Sequence, residues 1–258
     1  MRAAIIIPAR LESSRLPGKL LLAETGQPLI CHTAIMAASV MAAAPGIFIE
    51  VMVAADHPEL VEAVDKLARE KGLAVRAMLT RSDHQSGSDR IAEAAERLGA
   101  DIDAVLNLQG DEPELPPENV IGLVDFMARS GADIATLVYP VTSEAERGNP
   151  ALVKAVLGAG GRTLYFSRSD IPFRRGEGPW TPPAYGHVGI YLYRRESLKL
   201  FVSLPPGNLE RTEKLEQLRA LENGMSIYAL VLEKQPPKGI DTREDYDGFV
   251  RRWREMPV

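Results

Sequence analysis

The chain has 258 residues, of which 45% are hydrophobic and 25% are charged, proportions that are ordinary for a globular protein. Its net charge of −5 argues against general binding to nucleic acid, which usually requires a basic surface. Cys31 is the single cysteine, so an intrachain disulfide is excluded, and its apolar surroundings predict a buried, inert thiol. With no signal peptide or membrane span in the sequence, we expect a cytoplasmic protein.

The first predicted element is a buried strand followed by a basic loop. Residues 3–7 are apolar and predict a parallel strand, which we expect to stop at Pro8 because proline has no N–H to give to a sheet. Arg10, Arg15 and Lys19 follow within a short stretch. Ligands of open α/β sheets bind beyond the carboxyl ends of strands. Three cations at this place therefore predict a polyphosphate site, with a solvated basic loop as the alternative.

This loop matches neither of two common phosphate-binding patterns. In the P-loop pattern Gly-x-x-x-x-Gly-Lys-Ser/Thr, Gly18 and Lys19 fit, but Ser13 occupies the first glycine position and Leu20 the Ser/Thr position. The dinucleotide fingerprint Gly-x-Gly-x-x-Gly is also missing after this strand. The sequence therefore favours a nucleotide-binding transferase over a Walker ATPase or a nicotinamide enzyme.

Strand-like and helix-like segments alternate through the first half of the chain. The predicted strands are residues 47–54, 74–79, 104–108 and 134–138. The predicted helices are residues 58–71, 88–98 and 116–130. Asp56 stands where the N-cap of the first of these helices is expected. This alternation predicts βαβ units and a mostly parallel, doubly wound sheet.

The pattern changes after Pro140. Residues 153–157 and 162–166 flank a glycine-rich turn and predict a hairpin. Residues 171–185 are rich in proline and glycine and predict a long loop, which in a compact enzyme is often a lid or an oligomer contact. The remaining predicted elements are a strand at 187–193, a helix at 209–222, a strand at 226–232 and a helix at 242–253. No linker divides the sequence, so we expect one domain, 1–258.

Two acidic positions are candidate metal ligands. Asp111 lies in the segment NLQGDEP (107–113), beyond an apolar strand, where carboxylates suit Mg²⁺. The alternative for this segment is an acidic turn that caps a helix. Asp241 precedes the last helix and is a candidate partner, because one aspartate alone makes a poor metal site. Its alternative role is an N-cap of that helix, paired with Glu244.

The segment TRSDHQSGSDR (80–90) joins a predicted strand to a predicted helix. It is dense in hydrogen-bond donors and acceptors, as recognition of a base and a ribose requires. Arg81 and Ser88 are the leading nucleotide contacts, and Gly87 allows a close approach of the backbone. His84 is a candidate general base, although a structural role in the loop is favoured.

Taken together, these segments resemble the sugar-activating cytidylyltransferases, and most closely the family of 3-deoxy-manno-octulosonate (Kdo) cytidylyltransferases, or CMP-Kdo synthetases. The matching segments are IPARLESSRLPGK (7–19), TRSDHQSGSDR (80–90), LNLQGDEP (106–113), NPALVKAVL (149–157), YFSRSDIPF (165–173), GHVGIYLYRRE (186–196), LERTEKLEQLRALENG (209–224) and GIDTREDY (239–246). The chain departs from the family pattern at Leu11, Ser14, Ala55 and Ser88. The resemblance implies a single-domain α/β protein with a Rossmann-like nucleotide-diphospho-sugar transferase fold. It also implies a mostly parallel central sheet, a small antiparallel sugar-binding and dimerisation region at about 140–208, and a homodimer.

The resemblance also implies roles for individual residues. The implied nucleotide-binding residues are Pro8, Ala9, Arg10, Ser13, Arg15, Lys19, Arg81, Ser88, Gln109 and Asp111. The implied sugar-binding residues are Gln109, Arg168, His187, Tyr191, Glu216 and Gln217. Lys19, Arg10, Asp111 and Asp241 are the implied catalytic residues, and Asp111 and Asp241 the implied Mg²⁺ ligands. Glu213, Glu216 and Gln217 share one side of the helix predicted at 209–222, and for Glu213 we expect plain solvent exposure.

The implied reaction is the transfer of CMP from CTP to the anomeric hydroxyl of Kdo, which gives CMP-Kdo and pyrophosphate for lipopolysaccharide biosynthesis. Mg²⁺ is the implied cofactor, and no side chain is assigned as a dedicated base. Three alternatives stay open at this point: an acceptor such as 8-amino-Kdo or another ulosonate, a donor such as UTP, and a nucleotide sensor without catalysis.

Overall fold

Mostly apolar strands alternate with helices in the first half of the chain. The computed structural model describes residues 1–13, 15–173, 175–176 and 184–255. Its strands are β1 (Ala3–Ala9), β2 (Phe48–Ala55), β3 (Val75–Leu79), β4 (Ala104–Asn107), β5 (Ile134–Val141), β6 (Lys154–Leu157), β7 (Thr163–Ser167), β8 (Ala184–Arg194) and β9 (Ile227–Val231). Its helices are α1 (Leu29–Ala43), α2 (Pro58–Lys71), α3 (Gly87–Ala95), α4 (Pro117–Ser130), α5 (Glu144–Gly148), α6 (Arg195–Ser203), α7 (Asn208–Glu213), α8 (Leu218–Glu222) and α9 (Arg243–Glu255).

The chain divides into two compact units. The first unit is Met1–Ile121 together with Pro236–Val258, and the second is Gly122–Gln235. In the first unit the strand order is β3-β2-β1-β4, and each of these pairs is parallel. In the second unit β5 lies between β8, to which it is antiparallel, and β9, to which it is parallel. The α/β class with a mostly parallel sheet and some antiparallel strands is therefore confirmed.

The first strand runs through the proline that was expected to end it. β1 extends to Ala9, and Pro8 lies opposite Ala54 of β2. On the other side of β1 the pairing with β4 reaches only Ile6, opposite Asn107. Pro8 thus lies where β1 has a single paired neighbour, and a proline at such an edge costs the sheet no hydrogen bond.

Helix α1 was not among the predicted elements. Its residues are small and apolar around most of the circumference, and buried positions run from Leu29 to Val40, so the amphipathic period that reveals a surface helix is missing. Cys31 on this helix is 1% exposed. Burial, with a smaller contribution from Glu70, raises the pKa of its thiol to about 11. The prediction of a buried, unreactive cysteine is confirmed.

The predicted helix at 209–222 is wrong, because the chain breaks it into α7 and α8. Lys214 ends α7 in the left-handed conformation, with φ 54°, and α8 begins only at Leu218. Glu213, Glu216 and Gln217 therefore do not share one helical face.

The hairpin predicted at 153–157 and 162–166 is confirmed by the antiparallel pair β6 and β7. Residues 174 and 177–183 of the predicted loop at 171–185 lie outside the described residues, and β8 begins at Ala184. None of the helices in the described part of the chain is both long and apolar enough to cross a lipid bilayer.

Candidate functional site

The first unit contains a cleft of about 950 Å³ beyond the carboxyl end of β1. Predicted residues that line it are Pro8, Arg10, Ser13, Lys19, Gln109 and Asp111. Ala9, Arg15, Arg81 and Ser88 were also predicted to bind nucleotide but are not among its lining residues. This is the position in which open parallel sheets bind their ligands.

Lys19 lies at the centre of the acidic end of this cleft. The helical turn Lys19–Leu21 follows Gly18, whose φ of 67° suits glycine. Lys19 Nζ lies 2.5 Å from Asp111 Oδ2, 2.9 Å from the Ile240 carbonyl oxygen and 3.0 Å from Asp241 Oδ1. Burial lowers the pKa of Lys19, but the two aspartates raise it further, so the net shift is upward. The ammonium is charged and its three N–H donors all have acceptors.

Asp241 directs its carboxylate at the two cations of the basic loop and not at the last helix. Its Oδ2 lies 3.0 Å from Arg15 Nη1, and its Oδ1 faces Lys19. The cap of α9 is made instead by Thr242 and Asp245, because Asp245 N–H donates to Thr242 Oγ1 and Asp245 Oδ2 accepts from Thr242 N–H. The alternative in which Asp241 and Glu244 cap this helix is therefore wrong, and the Asp241 carboxylate is available to a ligand.

The two aspartates of this corner face two cations, Lys19 and Arg15. Burial raises the pKa of Glu112 to about 8, and the charges of Asp111 and Asp241 contribute to the shift. Two aspartates that converge on one ammonium supply the hard oxygen ligands that Mg²⁺ prefers. They leave most coordination positions of such a cation to phosphate oxygens and water. The residues present therefore fit a divalent cation that is shared with a nucleotide.

Arg10 also lines the cleft. Its Nη2 donates to the main-chain oxygen of His84 at 3.3 Å. The His84 ring is almost buried and shares a short hydrogen bond with Glu93 Oε2. Glu93 Oε2 also accepts from the Arg81 N–H at 3.2 Å. Glu93 thus fixes the loop that carries His84, which is the arrangement expected of a structural histidine.

The segment after β3 presents Arg81 and Ser88 in different ways. The Arg81 side chain is 69% exposed and lies 3.4 Å from Asp83, so it reaches into solvent. Ser88 is 2% exposed inside the first turn of α3. Ser86 and Asp89 form the capping box of this helix, which places Gly87 against the ring of Pro8, where an added Cβ would lie 3.7 Å from Pro8 Cγ.

Two charged residues of the cleft were missed as binding candidates. Asp56 was expected to cap α2, but His57 is the N-cap, and Asp56 Oδ1 accepts a hydrogen bond from Leu11 N–H at 2.9 Å. Arg90 is fully buried and lies 3.5 Å from Asp56. Both residues line the cleft. A buried arginine near the start of an ordinary helical segment gives no local pattern, so only the tertiary structure reveals it.

The second unit brings His187 and Tyr191 together on β8. Their ring centroids are 5.3 Å apart, and Phe166 contacts the other side of His187 at 4.9 Å. His187 Nε2 lies 2.9 Å from Thr136 Oγ1. Burial lowers the pKa of His187 to about 3, so this ring is neutral and is suited to hydrogen bonding with hydroxyl groups.

Tyr191 also has a carboxylate nearby. Burial raises the pKa of Tyr191 well above its usual value, and Tyr193 and Glu216 add to the shift. Glu216 Oε1 lies 3.7 Å from Arg219 Nη2, whereas Gln217 is buried at 7% exposure. Glu216 is thus close enough to Tyr191 for its charge to act on the phenol. It reaches this position from the segment between α7 and α8, and not from the face of one continuous helix. Gln109, which was predicted to contact both substrates, belongs to the first unit and donates to Asn107 Oδ1 at 3.1 Å.

Arg168 is held by the last residue of α7 and by the segment that precedes β6. Its Nε donates to the Glu213 carbonyl oxygen at 2.8 Å and its Nη1 to the Pro150 carbonyl oxygen at 3.1 Å. The Glu213 carboxylate accepts from Ser167 Oγ at 2.5 Å and from Arg168 N–H at 3.0 Å. The expectation that Glu213 is merely solvent-exposed is therefore wrong.

Lys154, a buried lysine that the sequence did not reveal, holds the backbone at Arg168. Lys154 is 0% exposed, and its Nζ donates to the carbonyl oxygens of Asn149 (2.9 Å), Leu152 (2.7 Å) and Arg168. A buried ammonium is tolerated because each of its three donors has an acceptor.

Comparisons with known proteins agree on one family. The family model described as "Cytidylyltransferase" matches residues 4–227. A curated 3-deoxy-manno-octulosonate cytidylyltransferase of Paramagnetospirillum magneticum is 44% identical over 250 residues, 94% of each chain, and one of Yersinia enterocolitica is 42% identical over 248 residues, again 94% of each chain. A solved structure of CMP:2-keto-3-deoxy-manno-octonic acid synthetase complexed with CTP superposes with a TM-score of 0.85 at 35% identity, and covers 99% of both chains.

Proposed function

Because the chain belongs to the cytidylyltransferase family, we propose that this protein transfers CMP from CTP to the anomeric hydroxyl of Kdo, with release of pyrophosphate. The observation that carries the proposal is that Lys19 and Asp111 line a cleft beyond β1 and that Lys19 contacts both Asp111 and Asp241. The curated relatives named above act on the same acceptor according to their names.

The first unit supplies the donor side of the reaction. Arg10, Arg15 and Lys19 bring positive charge to a protein that is negative overall, and they neutralise the triphosphate and the departing pyrophosphate. In the step itself the anomeric oxygen of Kdo forms a bond to the α-phosphorus, and its proton passes to solvent. The bond from that phosphorus to the bridging oxygen breaks, and this oxygen leaves with the electron pair as part of pyrophosphate. Such transfers depend on positioning and charge neutralisation more than on covalent help from the protein.

In this proposal Asp111 and Asp241, whose carboxylates both face Lys19, would hold Mg²⁺. When bound, the cation would neutralise charge on the α-phosphate and make the attacking hydroxyl more acidic. Lys19 contributes its own positive charge to the phosphate groups. We assign no side chain as a dedicated base.

The second unit supplies the acceptor side. His187, Tyr191 and Glu216 offer a neutral imidazole, a phenol and a carboxylate within one cluster, a set suited to the hydroxyl groups of a sugar acid. Arg168 and Gln217 complete the proposed sugar site, and the Arg168 guanidinium is the candidate partner of the sugar carboxylate. Gln109 is proposed to serve both substrates.

The remaining parts of the proposal concern assembly and location. We propose a homodimer that acts in the cytoplasm and feeds CMP-Kdo to lipopolysaccharide biosynthesis. The residues at about 140–208 are the proposed dimerisation region. Analytical ultracentrifugation tests the assembly, because a homodimer has twice the 28.2 kDa mass of the chain.

The test of the function is pyrophosphate release by the purified protein with Mg²⁺. CTP and UTP are compared as donors, and Kdo, 8-amino-Kdo and a sialic acid as acceptors. Release with CTP and Kdo, well above every other pair, supports the proposal. Release with another acceptor assigns a different sugar to the same chemistry, and release with UTP overturns the donor. CTP binding without release from any acceptor contradicts catalysis altogether.

A further inference from the structure

One buried arginine links several strand ends around the nucleotide cleft. Arg90 lies on α3, and its side chain is 1% exposed. Its Nη1 donates to Thr80 Oγ1 at 2.5 Å and to the Arg81 carbonyl oxygen at 3.1 Å, which fixes the end of β3. Thr80 Oγ1 in turn donates to the Ala55 carbonyl oxygen of β2 at 2.9 Å. Arg90 therefore connects α3 to the ends of two strands.

Asp56 extends this connection to the basic loop. Its Oδ2 lies 3.5 Å from Arg90 Nη2, and its Oδ1 accepts from Leu11 N–H at 2.9 Å. Its own N–H donates to the Ala9 carbonyl oxygen at 3.1 Å. Asp56 thus holds the backbone on both sides of Arg10, Leu11 through its carboxylate and Ala9 through its main-chain N–H. Arg10 is a cation that lines the cleft.

The charge of Arg90 is only partly compensated. Its Nε is buried and has no hydrogen-bond partner among the described residues. Burial lowers the pKa of Arg90, the Asp56 charge raises it, and the Arg10 charge lowers it again. Arg10 and Arg90 are thus close enough to repel each other, and of the two carboxylates that oppose this repulsion Asp56 has the larger effect and Glu93 the smaller. Removal of the partner of a buried charge is strongly unfavourable, so a change at Asp56 must disturb the position of Arg10 and of the loop.

We propose that Arg90 is a positioning residue of the nucleotide site, which acts through Asp56 on the loop of Arg10 and through Thr80 on the segment of Arg81. Arg90 lines the cleft, but its side chain is only 1% exposed, so in this proposal it acts on the nucleotide through the groups that it holds. The inference rests on the proposed function, because it takes CTP as the nucleotide that binds in the cleft.

The test compares two carboxylate-to-amide variants of the full chain. Asp56→Asn keeps an oxygen for Leu11 N–H but removes the charge that faces Arg90. Glu114→Gln is the matched control, because Glu114 pairs with Arg252 through two hydrogen bonds in the same unit and is 13% exposed, against 15% for Asp56. CTP affinity is measured by calorimetry, and the KM values for CTP and Kdo by pyrophosphate release.

We expect Asp56→Asn to weaken CTP binding and to raise the KM for CTP by about tenfold or more, with the KM for Kdo changed by less than about twofold. Glu114→Gln lowers the melting temperature without this selective change. Arg90→Lys, which keeps the charge but loses the planar fork, raises the KM for CTP in the same selective way.

Two results overturn the inference while the proposed function stands: unchanged CTP affinity in Asp56→Asn, or equal losses for CTP and Kdo. If Asp56→Asn fails to fold, Arg90→Lys gives the same test. If the wild-type protein itself does not bind CTP, the proposed function and the inference both fail.

Discussion

Lys19 Nζ lies 2.5 Å from Asp111 Oδ2. The lysine of the basic loop and the aspartate of the segment NLQGDEP (107–113) thus form an ion pair although they are 92 residues apart in the sequence. The same ammonium reaches Asp241 Oδ1 at 3.0 Å. In this arrangement Lys19 occupies the space between the two carboxylates to which a divalent cation is proposed to bind. Lysine and cation therefore compete for the same oxygens.

Lys19→Met is expected to bind Mn²⁺ more tightly than the wild type in the absence of nucleotide, since the competing ammonium is gone. Turnover with CTP and Kdo is expected to fall by about 100-fold or more, because a charge that stabilises the departing pyrophosphate is lost. Electron paramagnetic resonance of free Mn²⁺ measures the affinity. Lys66→Met, in an exposed pair with Glu70, is the control and leaves the affinity unchanged. An unchanged Mn²⁺ affinity in Lys19→Met would contradict the competition.

Gly110 allows the acidic segment to approach β1 closely. An added Cβ would lie 3.1 Å from the Pro8 carbonyl oxygen and 3.3 Å from Ile30 Cδ1, and the backbone oxygen cannot move without β1. We expect Gly110→Ala to lower the free energy of unfolding by about 1–3 kcal/mol and to reduce turnover, since Asp111 is displaced. Urea denaturation measures the first effect.

The control for that change is Gly148→Ala. Gly148 has open space around its Cβ position, so its substitution is expected to change stability by less than about 0.5 kcal/mol. Equal losses in both variants would show that the contact of Gly110 with β1 is not the cause.

His32 makes the protein less stable in mild acid. Its ring is buried against Phe249 and Trp253. Burial, with a smaller contribution from Lys71, lowers its pKa from 6.5 to about 4. The unfolded chain binds the proton more readily, so stability falls as the pH drops from 6.5 to 4, by up to about 3 kcal/mol. His187 adds a loss of the same sign.

Urea midpoints between pH 7 and 4 measure this dependence. His32→Asn is expected to lower stability at pH 7 but to flatten the slope below pH 6.5. His57→Asn keeps a side chain able to cap α2 and retains the wild-type slope. A slope that is identical in wild type and His32→Asn would refute the assignment.

Glu213 is expected to matter for the acceptor and not for the donor. Glu213→Gln replaces one carboxylate oxygen by an amide N–H₂, which leaves either Ser167 Oγ or Arg168 N–H without its present acceptor. We expect a loss of about 1–2 kcal/mol and a raised KM for Kdo, with the KM for CTP unchanged. Steady-state kinetics measures both constants. Glu62→Gln, on the exposed face of α2, is the control, and an equal rise of both KM values in Glu213→Gln would be the contrary result.

The helices and strands that could be predicted are those whose sequence signal lies within the element itself. The alternation of apolar runs and amphipathic helices predicted α2 with its observed bounds, Pro58–Lys71, because its apolar face and the following glycine are both visible in the sequence. β1 was predicted too short, since the rule that proline ends a strand ignores which neighbours that strand has. α7 and α8 were merged, because a left-handed Lys214 has no sequence signal comparable to glycine.

The same division holds for the candidate site. Lys19 and Asp111 were found because each follows a predicted strand at the edge where ligands bind. The binding or structural roles of Asp56, Arg90 and Lys154 were missed because each depends on burial and on contacts that leave no motif in the sequence. Glu213 was misjudged for the same reason, since its partners lie on β7 and not on its own helix.

The most direct test of CMP transfer at this cleft is ³¹P nuclear magnetic resonance of the reaction of CTP, Kdo and Mg²⁺, run with the wild-type protein and with Asp111→Asn. The wild type is predicted to convert the α-phosphate signal of CTP into that of a phosphodiester, with one pyrophosphate per CMP-Kdo. Asp111→Asn is predicted to slow this conversion by about 100-fold or more while CTP still binds. Near-normal conversion by Asp111→Asn, or release of inorganic phosphate in place of pyrophosphate, would contradict the account.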